Sequence, residues 1–458
     1  MRSALYLAVV LASCDGGPPV VHQSTDDPGT DNVIELVVQL ECASTRDAVY
    51  TSGGETPEPG RPVACATGRA VSRAAVAVRL EALGSALNAR SGYQAYLFSY
   101  WTESSQGRPA MATARLLVPE LPVSSGALPL VVVNHGEMGL SDLCAPSLRD
   151  DALDALALPW IAAGYPVVMP DYRGLGTDGV RGFDNALDTG WSALDSARAA
   201  RRALVEEGLS GEVWMIGVGQ GGGGALAAQS LATARFEDDG LQLTQVVSIA
   251  GQLVLRDPSP TYRSPSAQIQ GDRRRASMAV ALQADLANLA GHDRRGDALH
   301  PDVREAVLGA TDTLCSDELV SSLSSSRDGY VPPSTLGQLV DPDLRLEIVG
   351  CVAQNSRCTD RAQAVVDRNR ANQLKLDVDG ARILLVVGEL DDLQGPDWQA
   401  CLRDKLDDDA VNHEICVMPS AGGADVVTRS SALVLSWSGV GEEVACPGAN
   451  TLPRCPYW

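Results

Sequence analysis

The sequence predicts an α/β protein with a mostly parallel central sheet and an inserted helical cap. Between about residues 128 and 250, short apolar runs of strand length alternate with segments of helical period. That alternation is typical of a parallel sheet covered by helices on both faces. The strand signal is then lost over a charged, helix-favouring stretch and returns near the C-terminus. We therefore expect this stretch to be a helical insertion between two strands.

The individual elements follow from apolar periodicity and from the turn residues that bound each run. Segments 96–100 and 112–118 are expected to form a hairpin ahead of the main sheet. The elements expected after it are, in order, strand 128–133, helix 152–163, strand 166–169, helix 185–205, strand 212–218, helix 221–234, strand 245–250, strand 381–388 and strand 414–418.

The chain is predicted to contain five segments. They are an export signal with a lipidation motif at 1–14, a flexible polar tether at 15–32, the first part of the core at 33–255, the helical cap at 256–344 and the second part of the core at 345–458. The tether is rich in Gly, Pro and polar residues, a composition that favours an unfolded linker.

The N-terminus has the features of an export signal. Arg2 precedes the apolar stretch 4–11, which is too short to cross a bilayer as a helix, and Leu11-Ala12-Ser13-Cys14 follows. The pattern resembles a bacterial lipoprotein signal, which implies a lipid on Cys14 and a location in the bacterial cell envelope, anchored and extracytoplasmic, facing the periplasm or the cell surface. The alternative is an ordinary cleaved signal with a chance cysteine.

The charge balance argues against one class of partner. The formal net charge is −22, from 58 acidic and 36 basic residues. Such a surface repels the phosphate backbone, so nucleic acid is not expected as a partner.

Ten cysteines remain besides Cys14, an even number that favours disulfides in an exported chain. No Cys-x-x-Cys occurs, so no metal site is expected. Spacing alone leaves the connectivity open, but close spacing favours the pairs 42–65, 351–358, 401–416 and 446–455, which leaves 144–315. The ten candidates are Cys42, Cys65, Cys144, Cys315, Cys351, Cys358, Cys401, Cys416, Cys446 and Cys455.

A glycine turn is the most informative local feature. Residues 213–221 read as a buried strand that enters a tight glycine turn and then a helix. This is the shape of the Gly-x-Ser-x-Gly nucleophile elbow of α/β-hydrolases, with Gly219 where the serine would stand. Gly217, Gly219 and Gly222 also fit a dinucleotide fingerprint. That motif requires an acidic residue at the end of the next strand, which instead ends in Ala250 and Gly251, so no cofactor is expected.

Three further motifs surround the elbow. Asn134-His135-Gly136-Glu137 follows an apolar strand, Cys144-Ala145-Pro146-Ser147 comes soon after, and Asp171-Tyr172-Arg173-Gly174-Leu175-Gly176 follows the next strand. With these motifs the chain resembles the secretory lipase family of α/β-hydrolases, known from fungi and bacteria. The resemblance runs from about residue 96 to 250 and resumes at 381.

The resemblance implies an ester hydrolase with a Ser–Asp–His triad and a helical cap over an acyl-binding pocket. Matched position by position, the nucleophile falls on Gly219, the acid on Asp391 and the base on Gly423. The oxyanion hole would use backbone N–H groups, those of Gly136, Glu137 and Gln220. Two of the three triad positions are therefore glycines.

This departure decides the expected function. Loss of either nucleophile or base lowers turnover about 10⁶-fold. We expect a catalytically inactive hydrolase-fold lipoprotein that binds an acyl, ester or other lipid ligand. One alternative is an active lipase or carboxylesterase with a nucleophile that the sequence does not reveal. Another is a structural module of the envelope with a vestigial pocket.

The glycines at 221–224 are expected to permit close packing, with anion binding at the helix start as the alternative.

Overall fold

The structure is a computed structural model. It describes residues 36–51, 57–104, 107–123, 127–149, 154–179, 181, 185–204, 208–251, 263–266, 296–327, 329–354, 358–371, 376–391, 396–422, 424–448 and 452–455. The predicted signal with Cys14, the predicted tether and Gly423 lie outside the described residues. So does most of the first part of the predicted cap.

A mixed sheet of nine strands forms the centre of the described structure and confirms the predicted fold class. Its order is β1-β2-β3-β5-β4-β6-β7-β8-β9. The pairs β1–β2, β2–β3 and β3–β5 are antiparallel, and all other neighbours are parallel. The strands are β1 Pro62–Val71, β2 Tyr93–Glu103, β3 Pro109–Pro119, β4 Leu128–Asn134, β5 Val167–Pro170, β6 Leu209–Val218, β7 Gln242–Ile249, β8 Arg382–Gly388 and β9 His413–Met418.

Helices cover both faces of this sheet. Those of the described residues are α1 Asp47–Thr51, α2 Arg73–Ala82, α3 Asp154–Ala163, α4 Ala186–Ala203, α5 Gln220–Arg235, α6 Pro301–Thr313, α7 Ser316–Ser324, α8 Leu336–Leu339, α9 Pro342–Gln354, α10 Asp360–Ala371, α11 Pro396–Asp408 and α12 Ala424–Trp437. Helices α4, α5 and α11 pack on one face, and α2, α3 and α12 pack on the other.

The parallel strands are apolar along their whole length because both of their faces are covered. In β4, Leu130 and Val132 point into the core under α4 and α5, whereas Val131 and Val133 point into the core under α3 and α12. Successive side chains of a strand point to opposite faces, so a strand buried on both sides needs apolar residues at every position. The continuous apolar runs of the sequence have this cause.

Helices α6 to α10 lie in the chain between β7 and β8, where the helical insertion was expected. Their apolar residues form a core of their own that runs from Ala298 to Val366 and includes Leu319, Leu339 and Ile348. The helices continue to Ala371, beyond residue 344. The division of the chain into domains stays a prediction.

Five disulfides join the ten cysteines of the described chain. The pairs 42–65, 144–315 and 351–358 are those expected from spacing. The expected pairs 401–416 and 446–455 are wrong, because Cys401 bonds to Cys455 and Cys416 bonds to Cys446. Cys401, on α11, and Cys455 belong to the core on one face of the sheet, and Cys416 belongs to the core on the other. Cysteines on opposite faces cannot meet, however short the segment between them.

The disulfides also indicate where the chain folds. Five disulfides form and persist in oxidising compartments, which indicates an extracytoplasmic environment. Within the described residues, no helix is both long enough and apolar enough to span a membrane.

The corrected pairing can be checked by peptide mapping. Non-reducing digestion followed by mass spectrometry should yield linked peptides that contain Cys401 with Cys455 and Cys416 with Cys446. A peptide that links Cys401 to Cys416 would contradict the placement of these two cysteines on opposite faces of the sheet.

Candidate functional site

The glycine turn at 217–221 has the backbone of a nucleophile elbow. Strand β6 ends at Val218, Gly219 follows with φ +53° and ψ −116°, and α5 begins at Gln220. The N–H of Gly219 donates to the carbonyl of Ile249 on β7 (2.9 Å), and the Gly219 carbonyl accepts from the N–H of Gly223 (3.0 Å). A positive φ is costly for most residues and free for glycine. The residue at the predicted nucleophile position therefore has the backbone conformation of an elbow, and because it is glycine this conformation costs little free energy.

The two glycines that flank this position are required by close packing. A β-carbon on Gly217 would lie 2.1 Å from the carbonyl oxygen of Gly221. A β-carbon on Gly221 would lie 2.4 Å from the carbonyl oxygens of Asn134 and His135. Both distances are far inside van der Waals contact, so neither position accepts a side chain. The turn is thus fixed against the loop that follows β4.

The start of α5 packs as closely as its glycines suggest. A β-carbon on Gly222 would lie 2.8 Å from the α-carbon of Gly251, and one on Gly224 would lie 2.1 Å from Thr189 on α4. The Gln220 side chain is buried, and its Nε2 donates to the Thr189 hydroxyl (3.3 Å). The glycine run therefore lets α5 approach both α4 and the end of β7.

The loop after β4 contains the predicted oxyanion donors Gly136 and Glu137, both half-buried. Gly136 lies beside the end of β6, since a β-carbon there would be 3.3 Å from the Val218 carbonyl oxygen. The ring nitrogens of His135 lie 2.6 Å and 3.2 Å from the carbonyl oxygens of Gly136 and Asp171. Burial lowers the pKa of His135 to about 3. His135 is thus a neutral, fully buried support for this loop rather than an available base.

The Asp171-Tyr172-Arg173 motif supports the same loop from the other side. The ring of Tyr172 stacks on His135 with centroids 4.1 Å apart, and its hydroxyl donates to the His135 carbonyl (2.8 Å). Tyr172 has a φ of +68°, a strained value for a residue with a side chain. Arg173 forms a buried ion pair with Asp188 on α4. This motif therefore contributes packing and hydrogen bonds that hold the predicted oxyanion loop.

Asp171 holds together three separate parts of the chain. Its carboxylate accepts from the Thr113 hydroxyl on β3 (2.6 Å) and from the N–H of Ser147 (2.8 Å). Burial raises the pKa of Asp171 to about 6, although both hydrogen bonds oppose the shift. In the sequence, Asp171 and Ser147 contribute only to the family resemblance, and no sequence signal points to Thr113.

The predicted acid and the predicted base loop are neighbours. Asp391 is buried just after β8, and its N–H donates to the Gly388 carbonyl (3.2 Å). The N–H of Leu390 donates to the carbonyl of Ala421 (2.8 Å), which belongs to the loop after β9. A β-carbon on Gly422 would lie 2.6 Å from the Leu390 carbonyl oxygen. Gly422 is the last described residue before the predicted base position.

Besides His135, the described residues contain two histidines, His413 and His300. His413 begins β9 and contacts the Val411 carbonyl (2.9 Å), about 15–20 Å from the far end of that strand at roughly 3.3 Å per residue. The side chain of His300 caps α6 by accepting from the N–H of Asp302 (3.2 Å). His413 therefore does not reach the loop after β9, and the His300 ring is engaged at the start of its helix. The described residues also contain no group of three or more His, Cys, Asp or Glu side chains that could hold a metal ion.

The fold and this site can be compared with known proteins. No protein-family model matches the chain, and no curated protein sequence matches it. It is similar in structure to the rice cell wall degrading esterase LipA from Xanthomonas oryzae, with a TM-score of 0.63, 20% identity, and coverage of 82% of this chain and 95% of LipA. The TM-score is 0.65 for a Legionella pneumophila protein assigned as a hydrolase, at 17% identity, with 84% of this chain and 100% of that chain covered.

A fungal lipase has the same architecture. Candida antarctica lipase A in its closed state has a TM-score of 0.60 and 14% identity, with 90% of this chain and 93% of the lipase covered. At these identities the likeness establishes a shared fold, the α/β-hydrolase fold.

The close packing of the elbow predicts the cost of a single methyl group. Gly221→Ala should lower the free energy of unfolding by about 2–3 kcal/mol or more, because its β-carbon would overlap two backbone carbonyls. Gly309→Ala, in α6, is the matched control, since a β-carbon there meets nothing within 4 Å. We expect the control to be neutral or stabilising by about 0.5–1 kcal/mol. Urea unfolding measures both, and equal effects would contradict the packing described for Gly221.

The raised pKa of Asp171 predicts a pH dependence of stability. The folded carboxyl group binds its proton more tightly than the unfolded one, so unfolding releases a proton between about pH 4 and pH 6. Stability should fall as the pH rises through this window, by up to about 3 kcal/mol for a shift of about two pKa units. Asp171→Asn removes this titration. The free energy of unfolding of the variant minus that of the parent should therefore be larger at pH 7.5 than at pH 4.5, as measured by urea unfolding. An unchanged difference at the two pH values would contradict the shift.

Proposed function

We propose that this protein is a hydrolase-fold binding protein that holds an acyl or ester ligand without hydrolysing it. One observation carries the proposal: the residue in the elbow conformation of a lipase-like sheet is Gly219. A nucleophile elbow hydrolyses an ester only after an oxygen or sulfur atom of its side chain attacks the carbonyl carbon. A residue without a side chain offers no such atom.

The rest of the elbow supports ligand binding. Gln220 begins the 16-residue helix α5, whose first N–H groups point towards the turn and favour negative charge there. The predicted oxyanion loop at Gly136 and Glu137 lies beside the end of β6. These groups would polarise a carbonyl oxygen or hold a carboxylate whether or not a nucleophile is present.

The location forms part of the same proposal. A lipid on Cys14 would anchor the protein to a membrane of the bacterial envelope, and the predicted tether would separate the anchor from the folded core. An extracytoplasmic position agrees with the five disulfides. A membrane-anchored binding site of this kind would meet lipids and their ester derivatives directly.

A second candidate is an active lipase or carboxylesterase. The similar structures favour it, since they include an esterase and a lipase. It requires a serine and a base from residues other than Gly219 and Gly423. A third, a structural envelope module with an empty pocket, is distinguished by its lack of a ligand.

Two measurements on the purified protein separate these candidates. A fluorophosphonate probe labels only an activated serine, so labelling or ester turnover would establish the active enzyme and overturn the proposal. Native mass spectrometry should detect a co-purified acyl or ester lipid. An unlabelled protein that neither retains such a lipid nor binds added fatty acid or ester would favour the structural module.

Restoring the missing groups should restore chemistry. Gly219→Ser combined with Gly423→His would add a hydroxyl at the elbow and an imidazole at the predicted base position, which follows Gly422 in the chain. Hydrolysis of a p-nitrophenyl ester should rise roughly 10²- to 10³-fold over the parent, a fraction of the roughly 10⁶-fold that an intact triad contributes. The positive φ at residue 219 should make this variant about 1–3 kcal/mol less stable.

The matched control is Gly219→Ala with Gly423→His, which introduces the same β-carbon and imidazole but no hydroxyl. We expect it to share the loss of stability and to show neither turnover nor fluorophosphonate labelling. Equal activity in the two double variants would contradict Gly219 as the nucleophile position. So would a folded serine variant with no gain.

A further inference from the structure

A groove away from the glycine turn concentrates positive charge. It lies along β1, β2 and β3, spans about 290 Å³ when the space open to solvent is included, and has Arg46, Arg69, Arg115, Tyr96 and Ser147 among its lining residues. None of the described residues that line it is acidic. The whole chain carries a net charge of −22. Three arginines therefore line one groove of a strongly acidic protein.

The side chains in the deep part of the groove are buried and held by hydrogen bonds. Arg115 is only 8% exposed, and its Nη1 donates to the Arg149 carbonyl (2.9 Å), which fixes the guanidinium. Ser147 is buried, and its hydroxyl lies 2.8 Å from the hydroxyl of Tyr50. The Ser147 N–H is bound by Asp171, which orients the residue. A fixed guanidinium and a fixed hydroxyl can bind an anion with little loss of side-chain entropy.

The arginines act on the same place in the groove. Burial and the nearby Asp171 carboxylate raise the pKa of the Tyr50 hydroxyl to about 12, whereas Arg46 and Arg115 both act in the opposite direction. Arg46 is half-buried and Arg69 is exposed at the mouth of the groove. The cationic field of Arg46 and Arg115 thus meets the hydroxyl pair of Tyr50 and Ser147. In a partly enclosed groove, such a field is screened less than on an open surface.

We propose that this groove binds a small oxyanion, a phosphate or carboxylate group, between Arg46, Arg69 and Arg115, with the Ser147 and Tyr50 hydroxyls beside it. Guanidinium groups match both oxyanions because their N–H donors form a planar fork. The site is separate from the elbow, since β5 and β4 lie between β3 and β6 in the sheet. It does not depend on whether the elbow binds or hydrolyses an ester.

The test compares two variants of the full chain that lose the same charge. Arg46→Ala with Arg69→Ala removes two groove arginines, and Arg263→Ala with Arg454→Ala removes two exposed arginines outside it. Inorganic phosphate and acetate are titrated separately by calorimetry at constant ionic strength. Both variants lose two positive charges, so the difference between them isolates the groove from the effect of net charge.

The parent and the control variant should bind at least one of the two oxyanions with equal affinity. The groove variant should bind it roughly tenfold more weakly, since each partly exposed ion pair contributes a few-fold. Binding of phosphate or of acetate identifies which oxyanion the groove prefers, and either supports the site. The proposal is overturned if neither anion binds to the parent, or if the groove variant binds as tightly as the control.

Discussion

The contact between the glycine turn and the loop after β4 is the constraint on which the site depends. Gly221 lies so close to the carbonyls of Asn134 and His135 that a methyl group does not fit between them. This contact places the start of α5, the end of β6 and the predicted oxyanion loop within one small region. A β-carbon at residue 221 would push the loop away from the N-terminus of α5. The geometry of the elbow is therefore a consequence of backbone packing, and no side chain at residue 219 is needed to maintain it.

Buried polar groups hold the other side of the same region. His135 is stacked on Tyr172, the Asp171 side chain connects β3 to the loop at Ser147, and the Asp171 carbonyl contacts the His135 ring. Buried polar groups are stabilising only when their hydrogen bonds are made, so a cluster of this kind tends to specify a single arrangement of its loops. The disulfide between Cys144 and Cys315 joins the adjacent loop to the helical insertion. The region is thus built from covalent, polar and backbone contacts that do not involve a catalytic serine.

Much of this arrangement could be predicted from the sequence, and the failures have physical causes. The strands and the elbow were predictable because continuous apolar runs and fixed glycine spacings report local requirements, burial on both faces and close backbone approach. The pairing of Cys401 and Cys416 was wrong because spacing carries no information about the face of the sheet on which a residue lies. The role of Thr113 could not be predicted, since its contact with Asp171 joins strands distant in sequence. The arginine groove could not be predicted for the same reason, because its lining residues come from several separate segments of the chain.

The packing of the elbow also changes what its motif can mean. Gly217 and Gly221 are fixed by collisions with backbone atoms, so they would be retained in this fold whether or not the turn catalyses anything. The flanking glycines therefore indicate only how the turn packs, and only the central residue indicates whether the turn can attack an ester. At that residue a side chain costs about 1–3 kcal/mol of backbone strain, a cost that a working nucleophile justifies and a binding site does not. A glycine at 219, with φ +53°, is the residue that physical chemistry favours once attack on a carbonyl is no longer required.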